Sequence, residues 1–244
     1  LASLALVTGS TKTTGVWQPL IFVGGLALGA VFSVRQIHAQ QPVLDVRLLQ
    51  NRVMASATLI MALQNFAMYG LLFQLPAFFE HFRGSSSRDV GYSLFVMMIG
   101  MVFASPFGGR ATDRFGARAA ATLGALVLVA GSAVLYRLDL LTVPSDAMIM
   151  LLVFGTGMGL SSAPAQSAAM TACPPDRAGM AAGLSSTMRY LGGLFTIVVQ
   201  AFVLGGDASV SEARHQTMIG LYVVAALLSL LLAFALPQGS RKIS

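Results

Sequence analysis

Charge is what this chain has least of. Only 10% of its 244 residues are Asp, Glu, Lys or Arg, against about 25% in soluble domains, while 56% are hydrophobic. No polar stretch long enough for a water-soluble domain interrupts the apolar ones. With a mean hydropathy of +0.77, this excludes an ordinary water-exposed surface and points to lipid as the solvent. Cysteine is nearly absent as well. Cys173 stands alone, which excludes an intrachain disulfide and a CxxC-type metal site. The three histidines, His38, His81 and His215, lie outside the apolar runs and far apart in sequence, which argues against a histidine-based catalytic or metal constellation.

What is there is a series of apolar runs near 16–34, 53–79, 91–109, 119–136, 147–169, 177–204 and 217–236, each long enough to cross a bilayer as a helix. The expected fold class is therefore all-α, a polytopic membrane helix bundle. The chain opens on "LASLALVTG". As a helix these nine residues rise about 13 Å, well short of a roughly 30 Å hydrocarbon core. No basic segment precedes them, so they do not read as a signal peptide. The expectation is the end of a helix begun upstream, in a sequence that is a fragment.

The net charge of +6 is spread over short joints rather than gathered on one patch with interleaved aromatics. Anionic lipid headgroups suit it better than nucleic acid, which is not expected as a partner. Taking alternate joints, one side carries Arg35, Arg47, Arg52, Arg110, Arg114, Arg118, Arg177, Arg241 and Lys242, and the other Lys12, Arg83, Arg88, Arg137 and Arg214. The first side is expected to be cytoplasmic. Between them, "HAQQPVLDVRLLQNR" (38–52) places Val43, Leu44, Leu48 and Leu49 roughly on one helical face. It is either a short helix in the headgroup region or a plain linker.

Polar residues inside spans are costly in lipid and therefore informative. The runs 119–136 and 217–236 hold nothing more polar than Thr, Ser and Tyr and read as lipid-facing. Span 53–79 differs. Met61, Gln64, Asn65, Met68, Tyr69 and Leu72 share one helical side, which either lines a cavity admitting varied ligands or serves helix–helix hydrogen bonding. Span 147–169 adds Gln166, Pro164 and the pair Gly155/Gly159, and the next span adds Gly179/Gly183. Such pairs let helices approach closely. Arg189 lies about 18 Å into its helix if that helix starts near Arg177, near mid-membrane. All nine acidic residues fall in joints or at span ends, so Arg189 must bond carbonyls, face water or meet a partner outside this chain. An intramembrane hydrolase would need a His or Asp at membrane depth beside the serines of "GLSS", and none is there. No enzyme activity is expected.

The stretch "GGRATDRFGAR" (108–118) fits G-x-x-x-D-R-x-G-x-R at Gly109, Asp113, Arg114, Gly116 and Arg118. It resembles the signature loop of the major facilitator superfamily, between the second and third helices of each six-helix half. "QPVLDVRLLQNR" and "PPDRAGMAAGLSSTMRYLGG" are similar to segments of the 14-helix drug:proton antiporters of that superfamily, the first before their last six helices and the second at the start of the fifth of these. The resemblance implies that residues 53–237 are the C-terminal six-helix domain. Residues 1–37 would then be the end of one central helix and all of a second, 38–52 a linker, and 238–244 a cytoplasmic tail.

It further implies a secondary active exporter in the plasma (inner) membrane that works with an N-terminal half absent here. Drugs or other amphipathic small molecules would be its substrates, membrane lipids its surroundings and a proton gradient its drive, with no cofactor. Export of a single metabolite or lipid-like compound is the nearest alternative, and a seven-helix receptor a distant one that the glycine-rich basic loop disfavours. In this fold the first, second, fourth and fifth helices line the cavity. That implies Gln64, Asn65, Met68, Tyr69, Gln166 and Arg189 as cavity residues, and Gly109, Asp113, Arg114, Gly116 and Arg118 as a conformational-switch loop. In that loop the glycines would allow tight turning and close backbone approach. Asp113 would accept hydrogen bonds at the start of the following helix, and the arginines would hold the loop at the membrane face. A merely topological loop would need only the arginines.

Overall fold

The computed structural model describes residues 46–137, 144–204 and 211–238. The expected span at 16–34, the opening stub, Val43, Leu44 and the tail carrying Arg241 and Lys242 lie outside them. Six long helices follow a short 3-10 turn at Val46–Gln50: α1 Arg52–Arg83, α2 Ser87–Phe115, α3 Ala117–Leu135, α4 Pro144–Thr171, α5 Ala178–Leu204 and α6 Glu212–Ala233. Each of the six is long and apolar enough to cross a membrane, and among the described residues there is no strand. The chain folds as a membrane helix bundle.

The helices outrun their apolar cores, and local chemistry sets the ends. Asn51 caps α1, its side chain accepting from the Val53 and Met54 amides at 2.9 and 3.4 Å, and its amide group donates to the Ala172 carbonyl beyond the end of α4 at 3.1 Å. Gly84, at φ 60°, closes α1 in the left-handed conformation that glycine adopts without strain. Ser86 caps α2 by accepting from the Asp89 amide. The polar residues between the expected runs 53–79 and 91–109 thus include the first turn of a helix. The joint at 108–118 is corrected further. Residues 108–115 are helical, and the break between α2 and α3 is Gly116 alone, at φ 87°.

Contacts define how the helices run. Gly155 and Gly159 of α4 sit against Met97 and Met101 of α2, numbers rising together, so α2 and α4 run parallel. Against α3, Gly124 meets Ser161, Gly157 meets Leu128 and Gly131 meets Phe154. There the numbers run oppositely, and the two helices are antiparallel. A Cβ on any of these glycines would lie within 3 Å of backbone on the neighbouring helix. With lipid as solvent there is little hydrophobic drive between helices, and such close backbone approach supplies the dispersion contact that holds them. Not every glycine pair serves this purpose: nothing lies within 4 Å of a Cβ on Gly179.

The core lies around α1. One cluster gathers Phe66, Leu71, Leu75, Phe78 and Phe79 with Met97, Leu128, Phe154 and Tyr222, and a second gathers Met54, Ile60 and Met61 with Ala165, Ala169, Ala181 and Leu184. Helix α6 was read as lipid-facing, and half of it is. His215, Met218, Ile219, Tyr222, Ala225, Ala226, Ser229 and Ala233 are buried in a stripe at helical spacing, while Val224, Leu227, Leu228 and Leu231 are exposed. His215 is not in a loop. It lies in the first turns of α6, buried beside Phe78 and Phe82. Leu48 and Leu49 of the preceding segment are partly buried against the second cluster.

Candidate functional site

Among the described residues, Arg189 is the charged side chain furthest from either end of its helix. From the start of α5 it stands eleven residues on, roughly 16 Å along the axis and near the middle of a bilayer core. One terminal nitrogen donates to Gln166 Oε1 on α4 at 3.0 Å and lies 3.4 Å from the Met61 sulfur on α1. No carboxylate among the described residues pairs with it, whereas Arg83 and Glu212 form an ion pair at the far end of the bundle, at 2.6 Å. The guanidinium carries five donors, so an amide oxygen and a thioether leave most of its hydrogen-bonding capacity unspent. Arg189 and Gln166 are half-buried, whereas Met61 is fully buried.

Helix α5 is held to α1 by a polar ladder. Gly192 lies over the Ala62 carbonyl, the Thr196 hydroxyl donates to the Phe66 carbonyl at 2.5 Å, and the Gln200 amide donates to the Gly70 carbonyl at 2.9 Å and to the Tyr222 hydroxyl at 3.1 Å. These steps recur every four residues at a constant offset, so α1 and α5 run parallel with one face in register. The opposite face of α5 is uncovered: Tyr190, Leu191, Phe195 and Phe202 are exposed, as are Phe95, Val102, Phe103 and Phe107 of α2.

The other residues expected at the cavity occupy varied places. The Gln64 amide donates to the Ser161 hydroxyl of α4, which is helix–helix hydrogen bonding; it is buried, and its Oε1 has no partner among the described residues. Asn65 donates to the Met61 carbonyl of its own helix at 2.8 Å. Met68 belongs to the larger apolar cluster. Tyr69 is half-buried, packs on Gly193 and stacks on Phe73 at 6.3 Å. Arg189, Gln166 and Met61 therefore come together, while Gln64 and Met68 point into the bundle. Ser161 and Thr196 were not picked out from the sequence, because hydroxyls in apolar helices ordinarily donate to their own backbone, as Ser185 and Thr187 do here.

The signature stretch also has a definite geometry. Gly116 makes the turn, but Gly109 lies inside α2 with nothing within 4 Å of a Cβ there; the close approach belongs to Gly108, against the Leu160 backbone. Asp113 is exposed in the last turns of α2, and no side chain caps α3, so the expected capping bonds are not made. Arg118 Nε donates to the Leu236 carbonyl at 2.9 Å, and its amide to the Pro237 carbonyl at 3.3 Å, tying the start of α3 to the exit of α6. Arg110 and Arg114 lie over the Phe107 and Phe115 rings at 5.5 and 5.3 Å.

Six described helices long and apolar enough to span, close glycine packing between three of them and a cation far from either end of its helix mark an integral membrane helix bundle. Residues 1–197 match the family profile described as Major Facilitator Superfamily. The chain belongs to that superfamily, whose members are transporters rather than enzymes. It is 30% identical over 205 residues to the uncharacterized MFS-type transporter YwoD of Bacillus subtilis, covering 83% of this chain and 44% of the relative. It is 28% identical over 201 residues to the multidrug resistance protein Stp of Mycobacterium tuberculosis, covering 81% and 37%. The multidrug transporter protein MdtP of Bacillus subtilis is 28% identical over 189 residues, covering 77% and 35%. The chain spans less than half the length of each.

Proposed function

We propose that this chain supplies the C-terminal half of a proton-coupled exporter of amphipathic small molecules, working by alternating access against an N-terminal half. The observation that carries the reading is Arg189. It is a half-buried cation near mid-membrane, fixed by Gln166 and Met61 and lacking a carboxylate among the described residues. Such a group favours an anionic or acceptor-bearing partner there, from a substrate or from the facing half. The uncovered aromatic faces of α2 and α5 fit a second half closing over them, and soft Met and aromatic surface suits varied apolar ligands. Two of the relatives are multidrug proteins by name, which favours drug-like substrates.

The membrane is the plasma membrane in this reading. The end bearing Arg47, Arg52, Arg110, Arg114, Arg118 and Arg177 faces the cytoplasm, which also puts the C-terminus inside. The test uses the full-length protein in cells stripped of other exporters, loaded with a panel of fluorescent lipophilic dyes. Lower accumulation of several dyes, abolished by a protonophore, is the expected result. Export of one compound alone would favour the dedicated exporter, and export indifferent to the protonophore would remove the proton coupling.

A further inference from the structure

A cleft of about 430 Å³ opens where α3 begins and α6 ends, bounded by Phe115, Arg118, Thr122, Leu123, Leu126 and Phe234. It lies on the outside of the bundle: Phe115, Leu123, Leu126 and Phe234 are all exposed, and the apolar surface continues along α6 through Leu231 and Leu227. Its charged side chain has capacity to spare. Arg118 is partly buried and anchored through Nε to the Leu236 carbonyl, which holds the guanidinium plane at the cleft while its two terminal amino groups have no partner among the described residues.

We propose that this cleft holds one anionic phospholipid, with its phosphate on Arg118 and an acyl chain along Leu123, Leu126 and Phe234. The guanidinium fork matches a phosphate in shape and charge. The apolar wall continues a surface already fitted to lipid tails. Because Arg118 also ties α3 to α6, the bound lipid braces that junction. The inference stands on this cleft alone and does not depend on what the protein transports.

The test is native mass spectrometry of the full chain released from bilayers of equal parts phosphatidylglycerol and phosphatidylcholine. A single phosphatidylglycerol is expected to be retained about fivefold over phosphatidylcholine, the size of one basic residue's interaction with an anionic surface. Arg118→Gln should bring the ratio to about one, and Arg118→Lys should restore part of it. Arg52→Gln, at the same end of the bundle but away from the cleft, should leave it unchanged. Leu123→Trp, which fills the cleft and keeps the arginine, should release the lipid, and it decides the matter if Arg118→Gln fails to fold. Millimolar glycerol 3-phosphate should not displace the lipid. Equal retention in the parent, an equal loss in Arg52→Gln, retention in folded Leu123→Trp, or displacement by glycerol 3-phosphate would each overturn the proposal.

Discussion

Two interfaces in this bundle are built from opposite materials. Helix α4 meets α2 and α3 through Gly155, Gly157 and Gly159, backbone against backbone. Helix α5 meets α1 and α4 chiefly through side chains, by way of Thr196, Gln200 and Arg189 with Gln166, with Gly192 against the Ala62 carbonyl as a close backbone approach. The first kind of contact is dry and tight, with no side chain that could change partner. The second uses long, polar and polarisable groups, some with capacity to spare, and it borders the uncovered face. A carrier needs both, a rigid part that moves as a body and a wall that can exchange partners, and here the two share α4.

The largest expected effect comes from breaking the rigid side. Gly157→Leu places a branched side chain where a Cβ already meets the Leu128 backbone. Overpacking commonly costs about 1–3 kcal/mol, and with backbone as the obstacle the helices must separate. The expected outcome is loss of folded protein by size-exclusion chromatography. Two adjacent glycines supply a contrast. Gly108→Ala should lower the melting temperature measurably, while Gly109→Ala, with open space at its Cβ, should leave it unchanged or slightly raised by better helix propensity. Equal effects at the two positions would contradict the packing described.

The polar side should respond more mildly in stability and more sharply in function. Thr196→Val and Gln200→Leu each remove interhelical hydrogen bonds, for which about 0.6 kcal/mol is typical within membranes. Reversible unfolding in mixed micelles should show losses of that order, Gln200→Leu the larger because it has two partners. The smallest effect is expected at the Arg83–Glu212 pair, whose Glu212 side chain is 43% exposed. Arg83→Gln should change stability little, and less still in high salt. A large loss there would mean that the charged end, not the glycine contacts, holds the bundle.

The six described spans were legible because lipid demands about twenty apolar residues in a row and little else can satisfy that demand. Their ends were not. Ser86 and Asn51 start helices inside polar sequence, and α2 runs on through Thr112, Asp113 and Arg114 past a pair of glycines that looked like its end. Intrahelical bonds simply continue until a backbone such as that of Gly116 departs from helical angles. Arg189 stood out because a cation at that depth is rare, and Gln166 because amides in apolar runs are costly. Met61 did not stand out as its neighbour, since a methionine in a helix reads first as packing. Nor could periodicity alone separate Gln64, turned inward to Ser161, from Tyr69 a turn and a half further on, since both lie on one broad side of α1.

The account rests most heavily on Arg189 being a functional group rather than a strut. The direct measurement is dye export by the full-length protein carrying Arg189→Ala or Arg189→Lys, normalised to folded protein in the membrane. Loss of one hydrogen-bonded charge at the site is expected to cut export about tenfold or more in Arg189→Ala, with partial retention in Arg189→Lys and parental folded yield in both. Parental export by Arg189→Ala, or a fall in folded yield that accounts for the whole loss, would contradict it.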